Sequence, residues 1–149
     1  MRMKDYNQME GKKLNEPYIK EIKNSYHILI VDDDAMIRQF IDDVLQAYQY
    51  QTLHACRGEE AFAILETNKV DLIILDLLLP GKHGFYICDK IRNTDKWKEI
   101  PILMITAVYT RSKYSNESKE IGANAFMTKP FEGKTLISQV GKLLNIDQI

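Results

Sequence analysis

From His27 onward, apolar runs of strand length alternate with amphipathic stretches of helix length, and this alternation narrows the accessible folds more than any other feature of the chain. The runs are HILIV (27–31), YQTLHA (50–55), DLIIL (71–75), PILMI (101–105) and NAFM (124–127). Between the first two, AMIRQFIDDVLQAY carries Met36, Ile37, Phe40, Ile41, Val44, Leu45 and Tyr48 at helical spacing along one face. EEAFAILETN repeats the pattern with Ala61, Ile64 and Leu65, and GFYICDKIRN with Phe85, Ile87, Cys88 and Ile91. A polar RSKYSNESKEIG forms the fourth helical segment, and LISQVGKLLN the fifth, with Leu136, Val140, Leu143 and Leu144. Strand and helix in strict alternation predict a parallel sheet covered by helices on both faces, a doubly wound α/β fold. Near-continuous apolar strands agree, because a central parallel strand is buried on both faces.

At 149 residues with 45% apolar content, the chain has one domain's worth of core. We place that domain at 26–146, with a short tail at 147–149. Residues 1–25 are polar, lysine-rich and poor in branched apolar side chains, which predicts a flexible extension with at most a short helix from Pro17. The net charge of −1 argues against a polyanion-binding surface, so no nucleic-acid partner is expected. No apolar run approaches the roughly 20 residues of a membrane-spanning helix. Cys56 and Cys88 lack metal-ligand spacing, and no signal peptide is visible, so reduced thiols in the cytoplasm are expected.

In open α/β sheets the functional crevice lies beyond the carboxyl ends of the strands. The residues just past each run are therefore informative: Asp32, Asp33 and Asp34 after the first, Asp76 after the third, Thr106 after the fourth, Thr128 and Lys129 after the fifth. Taken singly, each has an ordinary explanation, Asp34 as the cap of the next helix and Lys129 as a solvated lysine. Jointly, they put acids, a hydroxyl and an ammonium on one edge. Carboxylates without His or Cys make a hard oxygen site suited to Mg²⁺. The cation offsets the crowding of Asp32, Asp33 and Asp76 and leaves one carboxylate free to attack a phosphoryl group, with Thr106 and Lys129 neutralising its oxygens.

The motifs ILIVDDD, DLIILDLLLPGKHG, LMITA and MTKPF, in this order and spacing, resemble the response regulator receiver domain of two-component signalling over about residues 26–146. The resemblance implies a flavodoxin-like (βα)5 sheet in the order 2-1-3-4-5. It also implies Asp76 as phosphoacceptor, Asp33 as direct metal ligand, Asp32 acting through water, and the Leu78 backbone carbonyl as a further ligand. Thr106 and Lys129 would contact the phosphoryl group, Pro130 would follow a cis bond, Gly84 would serve the turn after the third strand, and Phe126 would rotate inward as a switch. The implied partners are a sensor histidine kinase or phosphotransfer protein and a target protein read through the fourth helix, fifth strand and fifth helix. The protein would be a signalling protein rather than an enzyme, and a monomer or weak phosphorylation-dependent dimer.

Two departures from the family pattern stand out: Leu78 and Val108 are apolar where many members carry polar groups, which implies slow self-dephosphorylation. The chain also ends after the fifth helix, so a stand-alone regulator with output through protein contact is expected. A phosphorelay intermediate is the neighbouring alternative. The Asp32-x-Asp34 pair also resembles haloacid dehalogenase-like phosphatases, but Met36 stands where those usually carry Thr or Val. His27, His54 and His83 show no partnering pattern, and Trp97, Tyr109 and Tyr114 read as packing or surface aromatics.

Overall fold

A computed structural model describes residues 16–79, 83–107 and 122–146. Its elements in chain order are α1 (Glu16–Asn24), β1 (His27–Val31), α2 (Ala35–Ala47), β2 (Gln51–Ala55), α3 (Gly58–Thr67), β3 (Leu72–Asp76), α4 (Gly84–Arg92), β4 (Ile102–Thr106), β5 (Ala125–Thr128) and α5 (Gly133–Leu143). The sheet is parallel with order β2-β1-β3-β4-β5, the doubly wound arrangement that the alternation of runs predicts. The fourth helical segment, together with Val108, Tyr109 and Tyr114, lies outside the described residues.

Strand pleating sends successive side chains to opposite faces and so builds two cores. Leu29, Val31, Ile73, Leu75, Ile102 and Met104 face the side covered by α3 and α4. Ile28, Ile30, Leu72, Ile74, Leu103 and Ile105 face the side covered by α2 and α5. Every residue of β3 and β4 is buried, as central parallel strands require, while β2 and β5 at the edges are partly open. Trp97 is buried and stacks on Phe62 with ring centroids 6.2 Å apart, in keeping with a packing role.

Three expectations need correction. The short helix expected from Pro17 is present as α1, but it is not part of a free tail: Ile22 with Tyr26 enters the core formed with Ile41, Leu45, Leu136 and Val140. Composition underrates this segment because one isoleucine and one tyrosine, suitably placed, suffice to dock a short helix. β3 and β4 also end one residue past their apolar runs, so that Asp76 and Thr106 are their last residues. Parallel pairing holds them there, since Asp76 pairs with Ile105 and Thr106 with Thr128. Finally, the apolar stripe of α2 is wider than its buried face. Ile41 and Leu45 are buried, whereas Met36 is 82% exposed and Phe40 lies at the surface with its ring 5.8 Å from that of Phe131. Among the described residues no helix is long and apolar enough to cross a membrane.

Candidate phosphoacceptor and metal site

The parallel register brings the carboxyl ends of β1, β3, β4 and β5 level. Val31 pairs with Leu75, Asp76 with Ile105, and Thr106 with Thr128. The chain therefore leaves the sheet at adjacent points, and the residues at these exits meet. Asp32, Asp33 and Asp76 each present a carboxylate oxygen within 4.8 Å of the others. Asp32 and Asp76 are buried and Asp33 is exposed, so the cluster opens to solvent through Asp33.

Lys129 enters from the end of β5. Its Nζ lies 2.8 Å from Asp32 Oδ2 and 3.6 Å from Asp76 Oδ2, and its backbone N–H donates to the Thr106 carbonyl at 2.7 Å. Burial draws the Lys129 pKa down, but the hydrogen bond to Asp32 and the charges of Asp76 and Asp32 outweigh it and hold the ammonium above its ordinary value. Asp76 moves in the unfavourable direction: burial first, then the charge of Asp32, push its carboxyl up to about 6, against the opposing pull of Lys129 and of the Leu78 N–H. A single ammonium thus neutralises only part of the cluster.

The donors suit a hard divalent cation. They are all carboxylate oxygens, they converge, and Asp33 has no hydrogen-bond partner among the described residues. Asp32 is the least available, because Oδ2 accepts from Lys129 and Oδ1 accepts from the backbone N–H of Asp34 at 2.9 Å. Of the two adjacent acids, Asp33 therefore offers the freer carboxylate. The Leu78 N–H donates to Asp76 Oδ1 at 3.2 Å, which fixes the carboxylate from the loop side.

Thr106 is fully buried at the end of β4. Phe126 is partly buried against the core on the α3 and α4 side, pairing with Met104. By strand alternation it shares a sheet face with Thr106. The Lys129–Pro130 peptide is cis. Gly84 answers a demand for space rather than for an unusual φ: a Cβ there would lie 2.6 Å from the Asp76 carbonyl oxygen and 2.7 Å from Leu77 Cα. The first turn of α4 is thereby seated directly on the exit of β3, with the Gly84 N–H donating to the Leu77 carbonyl at 2.9 Å.

Asp34 stands apart from the cluster. Its Oδ1 accepts from the backbone N–H groups of Met36 and Ile37 at 2.9 and 3.3 Å, capping α2. The second acid demanded by the phosphatase alternative is therefore committed to a helix end. Sequence reasoning did not single out Arg38, whose guanidinium donates to the Asp32 carbonyl oxygen at 2.7 Å. The signal available was an arginine in the first turn of a helix, where the macrodipole disfavours a cation.

Comparison with known proteins accords with this geometry. A family model described as the response regulator receiver domain matches residues 28–141. The chain is 37% identical over 126 residues to the probable transcriptional regulator ycf27 of Cyanidium caldarium, covering 84% of this chain and 49% of that one. It is 36% identical over 123 residues to the heme response regulator HssR of Staphylococcus haemolyticus, covering 81% and 52%. The chain thus spans about half the length of the curated relatives it matches. Among solved structures, a putative response regulator from Chloroflexus aurantiacus aligns with TM-score 0.77 at 37% identity, covering 80% of this chain and 98% of that one. The chemotaxis response regulator CheY4 of Vibrio cholerae aligns with TM-score 0.74 at 33% identity, covering 79% and 98%.

Proposed function

The chain belongs to the response regulator receiver domain family, and from that premise we propose that it accepts a phosphoryl group on Asp76 and signals through a changed protein-binding surface. The observation that carries this reading is the convergence of Asp32, Asp33 and Asp76 within 4.8 Å, with the Lys129 ammonium against two of them. An Asp76 oxygen attacks phosphorus, and the bond from phosphorus to the donor breaks with its electron pair leaving on the donor. The donor class is a phosphohistidine on a sensor kinase or phosphotransfer protein, or a small acyl phosphate.

Asp33, Asp76 and the Leu78 carbonyl, with Asp32 through water, would hold a Mg²⁺ ion, which would supply charge neutralisation for the transferred phosphoryl group. Lys129 takes a phosphoryl oxygen in place of part of its contact with Asp32, and the Thr106 hydroxyl takes another. Withdrawal of Thr106 toward the phosphoryl group leaves room on the sheet face that Phe126 shares, which is the route to an altered surface over β5 and α5. This signalling function requires no multiple-turnover chemistry. The reaction places the protein where kinases use ATP, the cytoplasm, and the apolar Leu78 side chain favours a long-lived phosphoryl group.

The test is single-turnover labelling with radiolabelled acetyl phosphate and Mg²⁺. The parent should take up about one phosphoryl group in a Mg²⁺-dependent, alkali-labile bond, and Asp76→Asn should take up none. Full labelling of that variant would place the acceptor elsewhere. Continued turnover of a phosphomonoester would favour a phosphatase.

A further inference from the structure

The loop between β1 and α2 is fixed at more points than its length demands. Asp32 has its carbonyl held by the Arg38 guanidinium at 2.7 Å and its Oδ1 by the Asp34 N–H at 2.9 Å. Asp34 is held in turn by its cap bonds to Met36 and Ile37. Asp33 sits between these two fixed neighbours and keeps its own carboxylate exposed. Of the fixing contacts, the one from Arg38 reaches back six residues in sequence from the body of α2 and ties the loop to a rigid element.

Arg38 faces two local penalties, offset in part by its attraction to the Glu60 carboxylate. A cation in the first turn of a helix opposes the macrodipole. A guanidinium close to a divalent-cation site also repels the cation. Both effects predict some other group at this position, unless the hydrogen bond to the Asp32 carbonyl outweighs them. Charge-assisted bonds to a backbone oxygen are among the stronger hydrogen bonds, and Arg supplies them with a planar, directed fork.

We propose that Arg38 is a positioning residue of the metal site, clamping the Asp32 backbone so that the Asp33 carboxylate is held in place for the divalent cation. The inference rests on the phosphoacceptor reading above, since it needs a cation to be bound. It has a feature that separates it from simple electrostatics. Removing a positive charge beside a cation site should tighten cation binding, whereas removing a clamp should loosen it. The sign of the change decides.

The test uses the full chain with Mg²⁺ alone, titrated while the backbone amide signals of Asp33, Asp34 and Asp76 are followed by NMR, alongside thermal melts in chelator. Arg38→Met keeps the aliphatic stem and its packing but removes charge and donors. We expect its Mg²⁺ affinity to fall about tenfold, the lower end of what loss of an outer-sphere partner costs, while the melt in chelator still shows a folded domain. Arg38→Lys keeps the charge without the fork, and we expect a loss of about threefold or more. Mg²⁺ binding by the Met variant as tight as in the parent, or tighter, overturns the proposal. If the Met variant does not fold, parent-like affinity in the Lys variant overturns it equally. Absence of any Mg²⁺ response at Asp33 and Asp76 in the parent instead refutes the metal reading, and the clamp falls with it.

Discussion

Asp76→Asn should stabilise the protein at neutral pH in the absence of divalent cations, and the gain should vanish in acid. Burial and the charge of Asp32 hold the Asp76 carboxyl at about 6, against an ordinary value of 3.8. A carboxyl raised in this way keeps its proton in the folded chain through a range where the unfolded chain has lost it. Stability from this group is therefore fully present below about pH 4 and is lost as pH rises through about 6. At about 1.4 kcal/mol per pH unit, the gap corresponds to about 3 kcal/mol of destabilisation at pH 7. Asp76 is only 6% exposed, so solvent screens little of this. The asparagine amide removes the charge at nearly the same volume, and the pull of Lys129 is already part of the balance that leaves Asp76 at about 6, so the expected net gain stays at about 3 kcal/mol. For a domain of this size that is roughly 6–12 °C in melting temperature. Circular-dichroism melts of both proteins in chelator, from pH 4 to pH 8, measure the difference directly. It should be near zero at pH 4 and widen through pH 6, and saturating Mg²⁺ should shrink it by stabilising the parent. A difference that stays flat across this range would refute the claim that ionisation of Asp76 is what strains the site.

Gly84→Ala forces a Cβ against backbone atoms of Asp76 and Leu77 that have no flexible end to yield, so we expect about 1–3 kcal/mol of destabilisation together with slower labelling by acetyl phosphate. Denaturant melts and the labelling rate check both, and parent-like values for both would show that the close approach is not needed. Ile22→Ala empties a fully buried position in the core shared with α2 and α5, and should cost about 2–4 kcal/mol. A loss below about 0.5 kcal/mol in the same melts would mean that α1 contributes no more than a surface substitution does.

The parts of the fold that were legible in the sequence are those governed by a repeating pattern. Five apolar runs, most of them ending in acid, hydroxyl or amine, specify a parallel sheet with a chemically loaded edge, and the sheet has that form. What escaped is governed by single residues. Ile22 docks α1, yet one isoleucine in a polar segment makes no periodic signal. Met36 and Phe40 fit the helical stripe of α2 yet face solvent, because the stripe records only angle around the helix axis. It cannot tell how much of that angle the core covers, and Met36 and Phe40 lie at the edge of the stripe while Ile41 and Leu45 lie in its buried part. The requirement for Gly84 is likewise a matter of distance to a backbone atom, which spacing cannot express.

At the site, residue types and the capping option for Asp34 were legible from position, whereas different roles for Asp32 and Asp33 came only from the family resemblance. In the structure the three adjacent aspartates have different hydrogen-bond partners. Asp34 accepts from the α2 amides and becomes a cap; Asp32 accepts from Lys129 and Asp34 and becomes a buried brace; Asp33 is left with its oxygens turned to solvent. This sorting bears on why one ammonium does not suffice for the cluster. Lys129 is 2.8 Å from the brace but 3.6 Å from Asp76, so its charge is spent mainly on Asp32, and Asp76 remains raised to about 6. At neutral pH Asp76 is thus ionised but poorly compensated, and in the proposed function its need for a cation and its readiness to share charge with an electrophilic phosphorus would have that same origin. A substitution that brought Lys129 closer to Asp76 would relieve that strain, and by the same argument would weaken the demand for a divalent cation and blunt the nucleophile.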